Sequence, residues 1–405
     1  MKWRCRRAGS ATARGFGFIM LFRFSAAPMR GAALLAATCL SVAVGASAAE
    51  PSDGHAHKPK GHRVTVTEEM IGAGIVSSGV KLPPPPPATG TRDNPVPSWN
   101  NPLPLPIVIA DRRNNRLLEV TPDKQIVWEF DSPNLTFYRG NDDVNFTQDG
   151  RTMVVNEEDN YDLHMLDYAS RQLKWTYGMP NMRGRGEGYL NFPDDARLLP
   201  DGRLIVADIR NCRLLTIDPK TSQTLRQWGK PGVCKHNPPE TFAYPNDFNY
   251  YPNGDYLITE IPDAWITRLS PDGHVVWSVR APHVHYPSDA RPAADGNIIV
   301  ADFTKPGGVV IFNPQTGKVV WEYRVPEGEK ALDHPSLAVE LPNGNVLLND
   351  DHRERVLVID RQTKAFIWQY GQTDTRGHTP GLLWYPDSVD IDFYHDWKAA
   401  LARKP

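Results

Sequence analysis

Asp142, Asp194, Asn246 and Asp387 each stand at the head of a short β-type run, three of them directly after a proline. Ser288 and Ser336 hold the same place in two further runs. If such runs are wrapped around an axis, one residue from each converges on a common centre. Three carboxylates there repel one another unless a cation, protons or arginines compensate. Oxygen-only ligands favour Ca²⁺ or Mg²⁺ over Zn²⁺. These four residues are therefore candidate ligands of a divalent cation. The alternative is that their side chains cap turns and sit in water.

Histidine offers a second chemistry. His283-Val284-His285 has strand-like spacing that puts both imidazoles on one face, which suits a Zn²⁺ pair with His334 or His352 as third ligand. His378, Arg139, Arg210 and Arg353 fall on the same side of the repeats. No Ser-His-Asp order, Walker loop, dinucleotide fingerprint or CxxC pair is visible, so no nucleotide cofactor is expected.

The elements that position these residues are repeats. Phe192–Trp228, Tyr244–Val279, Tyr286–Tyr323 and His334–Tyr370 follow one pattern, and Arg139–Tyr177 follows it more loosely. Their turn glycines Gly150, Gly202, Gly254, Gly296 and Gly344 are spaced 52, 52, 42 and 48 apart. Each unit holds four short β-type runs, most of the first pairs joined by Asp-Gly or Asn-Gly, a hairpin signal. Four antiparallel strands per unit make a propeller blade.

A sixth unit is split. Ile107–Asp111 matches the second strand of the repeat, while Tyr385–Asp390 supplies its first strand from the far end. The expectation is an all-β, six-bladed β-propeller over 105–395, closed by a C-terminal strand that joins the first blade. Residues 396–405 are read as a tail. Trp128, Trp175, Trp277, Trp321 and Trp368, with Arg226 in the third unit, form one column near the blade ends. Large aromatics there fill the widening gap between blades.

Of 405 residues, 40% are hydrophobic and 23% charged, enough for a well-buried core. Residues 1–49 hold seven Lys/Arg and no acid, and Gly31–Gly45 is a short apolar stretch followed by Ala46-Ser47-Ala48-Ala49. That reads as a secretory signal, too short for a membrane span. Its removal leaves 38 basic and 47 acidic side chains, a net charge of −9. Without a basic stripe, nucleic acid is not an expected partner. Residues 50–104, with Pro83–Pro87, read as a Pro-rich linker. Thr67–Val80 reads as a short helix within it, and His55, His57 and His62 as a solvated tail. A secreted or periplasmic product keeps only Cys212 and Cys234, and an even count there favours a disulfide.

Three family resemblances follow from these residues. Ile205–Arg213 (IVADIRNCR) is similar to the NHL pattern, and its acidic position recurs as Asp111, Glu157, Asp208, Glu260, Asp302 and Asp350. A carboxylate there is expected to accept hydrogen bonds from the following turn. Gly317–Tyr323 followed by Leu341–Asn345 resembles arylsulfotransferase and quinoprotein-type propellers. The first implies a histidine opening an innermost strand, and none stands there. The second implies eight blades, so no quinone is expected. Pro245-Asn246-Asp247 with Pro252-Asn253-Gly254 resembles the gluconolactonase and regucalcin group, which implies an axial metal on the Asp142, Asp194, Asn246, Ser288, Ser336 and Asp387 column.

The sequence points first to an exported propeller binding a small ligand or protein partner at its mouth. The alternative is a metal-dependent hydrolase, lactonase or lyase using the axial column, and an arylsulfotransferase comes third.

Overall fold

The computed structural model describes residues 89–91, 94–98, 102–131 and 138–402. The stretch read as a leader, Thr67–Val80, Pro83–Pro87 and His55, His57 and His62 lie outside the described residues. Six four-stranded antiparallel sheets form the ring, a six-bladed β-propeller. Blade 2 runs Asp143–Phe146, Thr152–Glu157, Asp162–Asp167 and Gln172–Gly178. Blade 3 runs Pro193–Leu198, Leu204–Asp208, Arg213–Asp218 and Gln223–Trp228. Blade 4 comprises Pro245–Tyr250, Tyr256–Glu260, Trp265–Leu269 and Val275–Arg280. Blade 5 comprises Pro287–Pro292, Ile298–Asp302, Gly308–Phe312 and Val319–Arg324. In blade 6 the strands are Ala338–Glu340, Val346–Asp350, Arg355–Ile359 and Phe366–Tyr370.

Blade 1 is built from both ends, as the split repeat requires. Pro386–Ile391 is its innermost strand and pairs with Ile107–Asp111, which is followed by Arg116–Val120 and Ile126–Asp131. Val389 and Ile391 are buried with Ile107, Ile109, Leu337 and Trp368 between blades 6 and 1. Leu103 belongs to that same cluster, and the Pro102 carbonyl accepts a hydrogen bond from Asn343 Nδ2. The packed domain thus begins a little before Leu105, at the end of the stretch read as linker. Upstream, Thr89–Thr91 and Asn94–Ser98 pair as a hairpin. At the other end His395 stacks on Tyr168, and Trp397–Ala402 is a short helix in the stretch read as tail.

The six acidic second-strand ends tie each blade shut. Asp111 accepts the Trp384 N–H, Glu157 that of Arg139 and Asp208 that of Asn191. Glu260 accepts from Ala243, Asp302 from His285 and Tyr286, and Asp350 from Asp333. Every one of these donors lies in the loop entering the innermost strand of the same blade. The following turn contributes as well, through Asn114, Asn160, Asn211 and Thr304 side chains. Buried backbone donors need such partners, which explains the recurrence of an acid at this position.

The tryptophan column fastens blade to blade. Trp128 Nε1 donates to the Tyr168 carbonyl, Trp175 to Ser222, Trp321 to the Arg361 carbonyl and Trp368 to the Pro122 carbonyl. Each acceptor sits in the outer turn of the next blade. Arg226 makes the equivalent bond to the Pro271 carbonyl, so guanidinium replaces indole without losing the link.

Cys212 and Cys234 form a disulfide, with Cα atoms 5.2 Å apart and a sequence separation of 22. Cross-linking a loop of that length restricts the unfolded chain. We expect Cys212→Ser to cost about 3 kcal/mol in denaturant unfolding, by the chain-entropy model. Equal midpoints for oxidised parent and variant would contradict this.

Candidate mouth site

The innermost strands and the turns after the second strands open on one face. Four of those turns are short 3₁₀ helices: Arg112–Asn114, Ile209–Asn211, Pro262–Ala264 and Asp351–Arg353. The residue after the acidic column is buried in all six blades: Arg112, Glu158, Ile209, Ile261, Phe303 and Asp351. In blades 3, 4 and 5 it is apolar. In blades 1, 2 and 6 it is charged, and these three flank the acidic part of the axial column.

Arg112 is the centre of the site. Its Nη1 donates to Asp142 and, at 2.7 Å, to Asp387 Oδ2. Its Nη2 meets Glu158 at 3.2 Å and Asp159 at 2.9 Å. Burial alone would favour a neutral guanidine, but four carboxylates outweigh it and raise the Arg112 value further. Burial pushes the Asp142 carboxyl well above its usual range, with Asp387 and Glu158 adding to the rise that Arg112 opposes. Glu158 is pushed to about 8 by burial in the same setting. Asp159, less enclosed, is lowered by Arg112.

The four expected ligands do not form one ring. Asp142 and Asp194 converge with Asp143, their carboxylate oxygens within 4.8 Å of one another and all three residues buried. Asp387 is engaged by Arg112. Asn246 spans blades instead, Nδ2 donating to the Ser288 carbonyl and Oδ1 accepting from Tyr286. Ser336 Oγ lies 2.6 Å from Asp351 Oδ1 and 2.8 Å from the Asp387 carbonyl, and its one hydrogen serves either acceptor. The arrangement can hold one hard cation on Asp142, Asp143 and Asp194.

A second charged layer lies deeper along the innermost strands. Arg197 Nε donates to Asp195 and to the Phe248 carbonyl, and Arg291 Nε donates to Asp289. Asn145 and Asn249 donate to Asp195 and Asp247. Burial raises Asp247 well above the usual range, helped by Asp289 and Asp195, and raises Asp390 to about 7. These residues sit one and three positions after the first column, and the recurrence of a polar or charged residue at both places in the repeat is the signal for them.

An aromatic rim surrounds the floor. Phe192, Tyr244, Tyr286, His334 and Tyr385 occupy one position, two before the column. Phe192, Tyr244, His334 and Tyr385 have left-handed backbones, φ 56, 51, 57 and 61. Such conformations are rare for bulky residues and cluster where side-chain placement matters. Blade 2 has Gly140 there, φ 69, facing Asp159 and Arg112. Tyr385 lies beside Arg112 and Arg113, and its hydroxyl is 3.1 Å from His352 Nε2.

The remaining expected residues scatter. His283 and His285 lie in a turn, not a strand, and belong to no cluster of three potential ligands among the described residues. His283 is exposed and pairs with Glu322, while the exposed His285 imidazole is 3.6 Å from Asp302. His334 and His352 do meet, with Asp333 between them. Arg210 covers the Phe192 ring, and Arg139 reaches Asn181. Arg353 pairs with Asp374 and the Gly328, Glu329 and Ala331 carbonyls, a structural role. His378 meets Asp131, and its carbonyl accepts from Arg116.

Residues 251–338 match a family model described as PQQ_2, outer membrane protein assembly factor BamB. That span takes in the outer three strands of blade 4 and the whole of blade 5. No curated protein matches the chain in sequence. Among solved structures, a protein of unknown function from Bacteroides caccae is similar with a TM-score of 0.50 and 16% identity over 70% of this chain and 97% of that one. Virginiamycin B lyase from Staphylococcus aureus gives 0.46 and 12% over 71% and 83%. A streptogramin B lyase gives 0.47 and 14% over 73% and 86%. At 16% identity the first likeness is one of fold alone. No helix among the described residues is long and apolar enough to cross a membrane. The six four-stranded sheets themselves make the fold a six-bladed β-propeller.

Proposed function

We propose that this chain is an exported propeller that binds a small ligand at its mouth, with a divalent cation, Ca²⁺ or Mg²⁺, as part of the site. The observation that carries the reading is the convergence of the buried Asp142, Asp143 and Asp194 oxygens within 4.8 Å. Arg112 answers Asp142 and Asp387, and Asp143 and Asp194 bring two more buried carboxyls to the same point as Asp142. Several oxygens so close together are the donor set that a hard divalent ion takes. The aromatic rim above supplies flat apolar surface with a few polar atoms, as small-molecule sites do. The leader pattern and the Cys212–Cys234 bridge support export, since disulfides persist in oxidising compartments.

A ligand selective for the folded state stabilises it by mass action, about 2.7 kcal/mol at a hundredfold excess over Kd. Calcium or magnesium should therefore raise the melting temperature of the chelator-treated protein, and Asp194→Asn should remove most of that rise. If neither ion shifts melting, the cation part of the site is wrong.

A further inference from the structure

We infer that Asp333, His334 and His352 form a transition-metal site at the rim of the mouth, separate from the carboxylate cluster and suited to Zn²⁺. All three belong to blade 6. Asp333 and His334 lie in the loop entering its innermost strand, and His352 in the 3₁₀ turn after its second strand.

The donor atoms already face one point. His334 Nδ1 is 2.6 Å from Asp333 Oδ1, and His352 Nδ1 is 3.7 Å from the same oxygen. The two ring centroids are 4.1 Å apart. A tetrahedral ion with bonds of about 2.1 Å needs its ligand atoms about 3.4 Å apart. Shifts of about an ångström convert the present spacing into that one. Two imidazoles turned toward one carboxylate oxygen are both satisfied by a cation between them.

The supports of a metal site are also present. The distal Nε2 of His352 is held by the Tyr385 hydroxyl at 3.1 Å, the kind of outer partner that fixes a ligating imidazole. Phe303 packs edge-on against both rings, centroids at 4.8 and 6.0 Å. The Asp333 backbone N–H is anchored on Asp350, and the side chain's other oxygen, Oδ2, is met by the exposed Lys305 ammonium. Nitrogen donors select Zn²⁺ and its neighbours over Ca²⁺ or Mg²⁺. Three ligands, each only partly buried, leave a fourth position open to water or to a ligand in the mouth, the pattern of reactive rather than purely structural zinc.

The test uses the full chain carrying His55→Ala, His57→Ala and His62→Ala, so that the N-terminal histidines do not compete. Co²⁺ is titrated and followed by its visible tetrahedral absorption, then displaced with Zn²⁺. One equivalent of Co²⁺ is expected, with His334→Ala and His352→Ala each weakening binding about tenfold or more. Asp194→Asn should leave it unchanged, which separates this site from the carboxylate cluster. Metal-free melting of each variant checks its fold. If either histidine variant fails to fold, Lys305→Ala provides an exposed change that frees Asp333. It should tighten Co²⁺ binding severalfold, and unchanged affinity there would count against the site. Binding that survives both histidine changes, or is lost in Asp194→Asn, overturns the inference, as does no binding by the parent at millimolar Co²⁺.

Discussion

A chain ended after Trp384 should not fold. The missing segment includes the strand Pro386–Ile391, which forms the innermost ladder of blade 1. Val389 and Ile391 leave the cluster between blades 6 and 1, and an innermost strand edge at Ile107–Asp111 is laid open. Arg112 loses Asp387, Ser336 loses the Asp387 carbonyl and Asn349 loses the Pro386 carbonyl. An uncovered strand edge also invites pairing with other chains. The expected outcome is insoluble product, or soluble product with no cooperative melting by circular dichroism. A truncated chain that melts at the parent temperature would remove the closure from the account of stability.

Arg112→Met should destabilise the protein by about 3–5 kcal/mol in equilibrium unfolding, because it leaves buried carboxylates without their cation. The deficit should depend on pH. Asp142 and Glu158 are already raised by burial, and the guanidinium is what lowers them. Without it their folded values rise further. A carboxyl whose folded value exceeds its unfolded one, about 4, contributes most below that unfolded value, and the contribution is lost as pH rises through the folded value. Variant and parent differ in these groups only once the parent's own carboxyls ionise, so the deficit should be level up to about pH 8, where Glu158 titrates in the parent, and widen above it. A deficit that does not widen above pH 8 would mean that these carboxylates are compensated by something other than Arg112.

Blade number, repeat boundaries, ring closure and disulfide were legible because each is written as a local pattern. Turn glycines recur at similar spacing, Asp387 aligns with Asp194, and Cys212 and Cys234 are the two cysteines beyond residue 49. The mouth was only partly legible. Asp142 converges with Asp194 and Asp143 and also meets Asp387 across Arg112, while Asn246 bonds between blades instead. The missing information was orientation. Arg112 follows Asp111 in a turn, and nothing local says that its side chain crosses to blades 2 and 1 while Arg113 does not join it. The signal available was comparative. The residue after the acidic column is apolar in three blades, so a charged residue there in the other three marks a point where the axis is polar. His283 and His285 were misplaced for a related reason. Alternate spacing defines a face only inside a strand, and His283 has φ 59 in a turn.

The closing strand also fixes when the molecule can be completed. Protein synthesis runs from the N-terminus, so blades 2 to 6 can pair their own strands while Ile107–Asp111 still waits for its partner. That partner follows the last strand of blade 6 in the chain, so it is made after every blade that it must lock. Arg112 spends the same interval without Asp387, and the gap between blades 6 and 1 stays open. Closure therefore comes only after the other five blades have all their strands, and until Pro386–Ile391 is available the ring remains unlocked.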